Sequence, residues 1–267
     1  KRCAAGERGS SVCRARGSEL QRCFAFQLSS FDFANSTSLS CLPRLPHHAA
    51  LIMLRHALTL FFILLQLAAS YAAAQPPPML GARAWILVDA TSGARLAAYE
   101  PTARLEPASL TKLMTAYVVF TALNENRIAL TDTVTVSPAA FATPGKSGSR
   151  MYLEPGRAVN VDQLLRGMLT VSASDAAVAL AEHSAGSVDA FVDRMNAEVR
   201  RLGMANTHFA NPTGQSDAQN YSSAEDMAIL ARRLLTDFPR HAPLFAQREF
   251  AYNNVSQANR NRLLWTD

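Results

Sequence analysis

Cysteine is missing from most of this chain: Cys3, Cys13, Cys23 and Cys41 all fall within the first 52 residues, and none follows. From Gln75 onward a disulfide framework is therefore excluded, and so is a cysteine-ligated metal. Excess charge is missing too. The formal net charge of +5 collects at the start, where residues 1–52 hold seven Lys/Arg against three Asp/Glu and Arg55 adds one more. Beyond Gln75, eighteen basic residues meet eighteen acidic ones, which removes the electrostatic argument for a nucleic-acid partner. The six histidines (His47, His48, His56, His183, His208, His241) show no metal-ligand spacing, so neither a metal nor another cofactor is expected. There is no internal repeat. Lysine is scarce, occurring only as Lys1, Lys112 and Lys146.

The N-terminal part reads as a leader in two pieces. Residues 1–52 lack sustained hydrophobic periodicity and are expected to be disordered, non-native sequence translated upstream of a true start at Met53. Met53-Leu54-Arg55-His56, the apolar run Ala57 to Leu67 and the small-residue stretch ending at Ala74 have the charge, length and cleavage-site pattern of an export signal. The run is too short to span a bilayer. An uncleaved membrane anchor is the competing reading. Residues 75–82, with Pro76-Pro77-Pro78, form a linker, and 83–267 the folded domain.

Within that domain, Arg83–Asp89 and Arg95–Tyr99 alternate like strands around the turn Ala90-Thr91-Ser92-Gly93. A buried helix follows Pro107 and ends at Asn124-Glu125-Asn126. Thr133–Val136 reads as a strand, and Thr143–Ser149 as a glycine-bearing surface loop without P-loop spacing. Helices are expected from a polar cap at Asn160, over Ala176–His183, over Val188–Leu202 with closure by Gly203, and from Ser222–Asp226 to Leu235. Arg248–Asn253 reads as one returning strand. The order implies an α/β (α+β) fold, a mixed sheet carrying helices with a helical subdomain inserted.

Ser109 and Lys112 stand three apart at the start of the first buried helix, on one face. A hydroxyl there with an amine one turn on is what a serine nucleophile and a lysine base require. Alone the triplet is weak, since Ser-x-x-Lys often arises by chance. It gains weight because Lys112 lies among Leu113, Met114, Val118, Val119 and Phe120, where a solvated lysine is out of place. Thr170–Asp175 is a run of small polar residues between apolar helices. Capping accounts for Ser174 or Asp175 but not for the whole run.

Three elements in this order, Pro107-Ala108-Ser109-Leu110-Thr111-Lys112-Leu113-Met114-Thr115, Ser172-Ala173-Ser174-Asp175-Ala176 and Asn259–Trp265, resemble the D-alanyl-D-alanine carboxypeptidases, the low-molecular-mass penicillin-binding proteins. The resemblance spans about residues 82–267. It implies a β-lactamase/transpeptidase-like fold with an antiparallel sheet flanked by helices, incomplete here. It also implies an exported enzyme of the periplasm, or of the outer face of the bacterial inner membrane, trimming peptidoglycan stem peptides that end in D-Ala-D-Ala. β-Lactams would be trapped as mimics, and a C-terminal region beyond residue 267 could attach the protein to the membrane surface.

By the same resemblance Ser109 is the nucleophile, Lys112 the general base, and Ser172 a proton relay to the leaving amine. Ser174 stands where the family has the asparagine of Ser-x-Asn, a substrate contact. The family also has a Lys-Thr-Gly triplet on a strand that completes the oxyanion hole. None of the three lysines here begins such a triplet, so these 267 residues alone are expected to be close to inactive. Two other functions compete. A serine β-lactamase would need a deacylating base, for which Glu154, Glu182 and Glu198 are candidates by position only; the other is a non-catalytic peptidoglycan-binding relative. The last helix and Arg248 read as structure.

Overall fold

The computed structural model describes residues 47–69, 80–143 and 148–266. The chain divides into two compact units, Lys1–Ala74 and Gln75–Asp267. In the first, α1 (His47–Ala69) is one helix that runs through Met53 without a break, and its side chains from Leu51 to Ile63 are exposed. No helix among the described residues is long and apolar enough to cross a membrane. The expected disorder of residues 1–46, the cleavage site and most of the linker lie outside the described residues, whereas residues 47–52 are helical.

The second unit opens with β1 (Trp85–Val88) and β2 (Arg95–Tyr99), an antiparallel hairpin with Trp85 opposite Tyr99 and Val88 opposite Arg95. Its turn is closed by the Asp89 carboxylate, which accepts from the Ser92 N–H at 2.6 Å and hydroxyl at 2.7 Å. Gly93, at φ 76, supplies the left-handed step.

The core is built around α2 (Thr111–Asn124). Met114 through Phe120 are all buried, on every face of the helix, which fits a helix packed on all sides. Its neighbours are α4 (Val161–Val171), α5 (Ser174–Ala185), α6 (Val188–Leu202) and α7 (Ala224–Asp237). Several boundaries have a local cause. Asn160, Ser187 and Ser223 accept from the backbone N–H three residues on, capping α4, α6 and α7. Gly186 and Gly203 end α5 and α6 in the left-handed conformation.

The expected antiparallel sheet is present in part within the described residues. The described residues hold three separate two-stranded antiparallel ladders: β1–β2, then β3 (Thr133–Thr135) with β4 (Ala158–Asn160), and β5 (Glu249–Tyr252) with β6 (Val255–Ala258). The one returning strand is thus a hairpin. Asn253 and Asn254 sit at φ 52 and 60 between Tyr252 and Val255, the left-handed pair of a two-residue turn whose twist suits antiparallel strands. A short helix, α3 (Pro138–Ala142), capped by Ser137, was also not expected.

Candidate active site

Ser109 does not lie in the α-helix. Residues Ala108–Leu110 make one turn of 3-10 helix and α2 begins at Thr111. Ala108 precedes Ser109 at φ 46, a left-handed conformation that costs roughly 1–2 kcal/mol outside glycine. The expected helix start at Pro107 is corrected accordingly, although a three-residue spacing still makes neighbours of Ser109 and Lys112. Ser109 is exposed, while Lys112 is 4% exposed.

The Lys112 amine donates to the Thr213 carbonyl at 2.6 Å. Burial pulls its pKa from 10.5 down to about 8; the nearby Arg260 guanidinium pushes the same way, and Asp175 pulls back up. At pH 7 an amine with the ordinary value is neutral in about one molecule in three thousand, and one titrating near 8 in about one in ten. The site therefore contains an amine able to take a proton near neutral pH.

The loop that receives Lys112 also seats the serine turn. The Asn211 side-chain oxygen accepts from the N–H groups of Thr213, Gly214 and Gln215 and from the Thr213 hydroxyl, at 2.8–3.2 Å. This fixes the Pro212 and Thr213 carbonyls toward α2, where Thr115 donates to Pro212 at 2.7 Å. Gly214, at φ 78, lies so close that a Cβ there would come 1.8 Å from the Ala108 carbonyl oxygen. None of this loop was singled out beforehand. Asn-Pro followed by Thr-Gly marks a shaped turn, but nothing in one sequence says that the turn faces Lys112.

Ser172 ends α4 at φ 60, and its hydroxyl is buried with no hydrogen-bond partner. It is thus not hydrogen-bonded to Ser109 or Lys112. Asp175, three residues on, does act on Lys112 electrostatically, which brings the start of α5 into the lysine's surroundings. Ser174 is 7% exposed and its N–H donates to the Ser149 carbonyl at 2.9 Å. Arg260 follows β6 in the Asn259–Trp265 segment, where Arg248 lies over the Trp265 ring at 5.4 Å. Glu154 and Glu198 are taken up in ion pairs with Arg157 and Arg201.

An exposed serine followed three residues on by a buried lysine, at the edge of a helical core, is the arrangement of the Ser-x-x-Lys serine hydrolases. The comparisons narrow it. Residues 70–267 match the model of the D-alanyl-D-alanine carboxypeptidase family of peptidases. The chain is 44% identical over 189 residues to D-alanyl-D-alanine carboxypeptidase DacA of Haemophilus influenzae, covering 71% of this chain and 48% of that protein. It is also 44% identical over 192 residues to DacC of Escherichia coli, with the same two shares. The crystal structure of penicillin-binding protein 5 from Haemophilus influenzae superposes with a TM-score of 0.69 at 43% identity, over 71% of this chain and 55% of that one. The chain belongs to the D-alanyl-D-alanine carboxypeptidase family and has the fold of its penicillin-binding relatives, here in part. It spans about half the length of the curated relatives it matches.

Proposed function

We propose that the protein is a serine-type D-Ala-D-Ala carboxypeptidase of the cell wall, exported through the signal at residues 53–74 and working in the periplasm or on the outer face of the inner membrane. What carries the reading is Lys112: a buried amine, held on Thr213 and brought to about 8, three residues beyond an exposed serine. Such burial destabilises the fold, and chemistry that needs a neutral amine accounts for it.

Lys112 takes the proton of the Ser109 hydroxyl as Oγ attacks the carbonyl carbon of the penultimate D-Ala. The Ser109 N–H supports the resulting oxyanion. Collapse breaks the C–N bond, and the proton returns through the Ser172 hydroxyl to the amine of the departing D-alanine. Water then cleaves the acyl-enzyme with Lys112 again as base. The unpaired Ser172 hydroxyl suits a relay whose partners arrive with substrate, and Ser174, at the family's Ser-x-Asn position, is assigned a contact to the substrate backbone. A β-lactam acylates Ser109 in the same way. Because the family's Lys-Thr-Gly triplet is absent from these residues, the 75–267 polypeptide is expected to label weakly.

Fluorescent penicillin tests this in the protein at the length of its relatives. Stoichiometric, boiling-resistant label that vanishes in Ser109→Ala, with release of D-alanine from a pentapeptide, is the expected result. Equal D-alanine release by Ser109→Ala and wild type would instead leave a peptidoglycan-binding module, and rapid nitrocefin turnover a β-lactamase.

A further inference from the structure

Asp175 is 2% exposed and stands in the first turn of α5. Its two oxygens accept from the Met151 N–H at 3.1 and 3.2 Å, from the Leu153 N–H at 3.2 Å and from the Ala176 N–H at 3.0 Å. A helix N-terminus favours a carboxylate on its own account, but two of these donors come from a different segment, more than twenty residues back. Between them sits Tyr152 at φ 66 with its ring half exposed. A bulky side chain at that φ costs of order 1–3 kcal/mol and persists only where the surroundings enforce it. Two N–H groups flanking a left-handed residue make a concave seat for an anion, and the occupant here is the protein's own carboxylate.

The same segment is tied down elsewhere. The Ser149 carbonyl accepts from Ser174 N–H at 2.9 Å, and the Met151 and Leu153 side chains are sunk in the core. From the β5–β6 hairpin, Gln257 donates to the Arg150 carbonyl at 3.2 Å and Asn253 to Glu154 at 2.9 Å. Residues 149–153 thus form a wall immediately beside the Ser172–Ser174 corner.

We propose that Asp175 is a positioning residue: its carboxylate holds the 149–153 wall in a strained shape against that corner and supplies a fixed negative charge to the Lys112 amine. Two charges act on Lys112. Asp175 at the start of α5 strengthens its hold on a proton and Arg260, after β6, weakens it, while the 211–215 loop presents the neutral Thr213 carbonyl. The corner's role in chemistry rests on the function proposed above, but the wall and the charge can be tested without turnover.

The scarcity of lysine makes the test direct. Uniform ¹³C labelling of lysine gives signals from Lys1, Lys112 and Lys146 among these 267 residues, and the signal missing in Lys112→Met identifies Lys112, so its midpoint can be followed by NMR. Asp175→Asn keeps an acceptor oxygen but removes the charge, and is expected to move the midpoint to lower pH by on the order of half a pH unit. Arg260→Gln is expected to move it upward. Adding Tyr152→Gly to Asp175→Asn relieves the left-handed strain, and so should recover thermal stability while leaving the midpoint displaced. In the wild type, the Met151 and Leu153 amides should exchange with solvent as slowly as those inside α5. An unmoved Lys112 midpoint in Asp175→Asn, or fast exchange at Met151 and Leu153 in the wild type, would overturn the proposal. The exchange measurement stands even where the variant does not fold. Loss of penicillin labelling with these readouts intact would count against the serine chemistry alone.

Discussion

Replacing Gly214 by alanine puts one methyl group against the turn that carries Ser109. Its Cβ would lie 1.8 Å from the Ala108 carbonyl oxygen, 2.4 Å from the carbonyl carbon and 3.0 Å from the Thr111 hydroxyl. The first two are backbone atoms with no rotamer to give, so the turn or the loop must retreat by more than 1 Å. Overpacking of this kind costs about 1–3 kcal/mol, and φ 78 adds roughly 1–2 kcal/mol for any side chain. A loss of about 2–5 kcal/mol follows, or about 5–15 °C in Tm for a domain of this size. A shift of an ångström in the nucleophile typically costs about a hundredfold, so in the protein at the length of its relatives acylation by penicillin should fall by that order. Gly156→Ala is the control. Its φ of 77 is almost the same, but nothing lies within 4 Å of the added Cβ, so it bears the strain without the collision and should acylate normally. Should Gly214→Ala match Gly156→Ala in both melting temperature and acylation rate, the 211–215 loop does not seat the serine turn.

Three further outcomes follow from the same geometry. With Lys112 titrating near 8, the acylation rate should rise about tenfold per pH unit below that value and level off above it; a profile that is flat from pH 6 to 9 would exclude Lys112 as the base. Because its folded pKa lies below that of the unfolded chain, the unfolded state binds more protons between about 8 and 10.5, and stability contributed by this group rises with pH across that window. Lys112→Met should therefore stabilise the domain at pH 7, by up to about 3 kcal/mol less the bond lost to Thr213, while abolishing acylation; denaturant melts at pH 7 and 10 check both the sign and its fading. Ser174→Asn restores an amide with two donors and should raise kcat/KM for a D-Ala-D-Ala peptide about tenfold, the worth of one added hydrogen bond; no change would mean that position 174 does not touch substrate.

Several helix ends were legible because their boundaries are written locally. Asn160, Gly203 and Ser223 mark ends that stand within a residue or two of where capping chemistry puts them. Ser109 and Lys112 were legible as a spacing, and a lysine surrounded by apolar neighbours pointed to burial. Other features depend on distant partners. The 3-10 turn under Ser109 answers to Gly214, a hundred residues on, and the lowered proton affinity of Lys112 owes part of its cause to Arg260. Asp175 looked like a helix cap because its real partners, Met151 and Leu153, carry no side-chain signature: they contribute only backbone N–H groups. The second strand of the last hairpin escaped notice because Asn-Asn is a weaker turn signal than Asn-Gly.

Because α2 is enclosed on every side, Lys112 has no freedom of its own, and the turn that carries Ser109 is backed by Gly214. Under the proposed function, accommodation of different stem peptides, or of a bulky antibiotic, falls to the flanks: the clamp around Tyr152 and the stretch from Asn259 to Trp265. Related proteins with the same buried lysine and backed serine turn would then diverge in what they accept by reshaping those borders while Ser109 and Lys112 stay where they are.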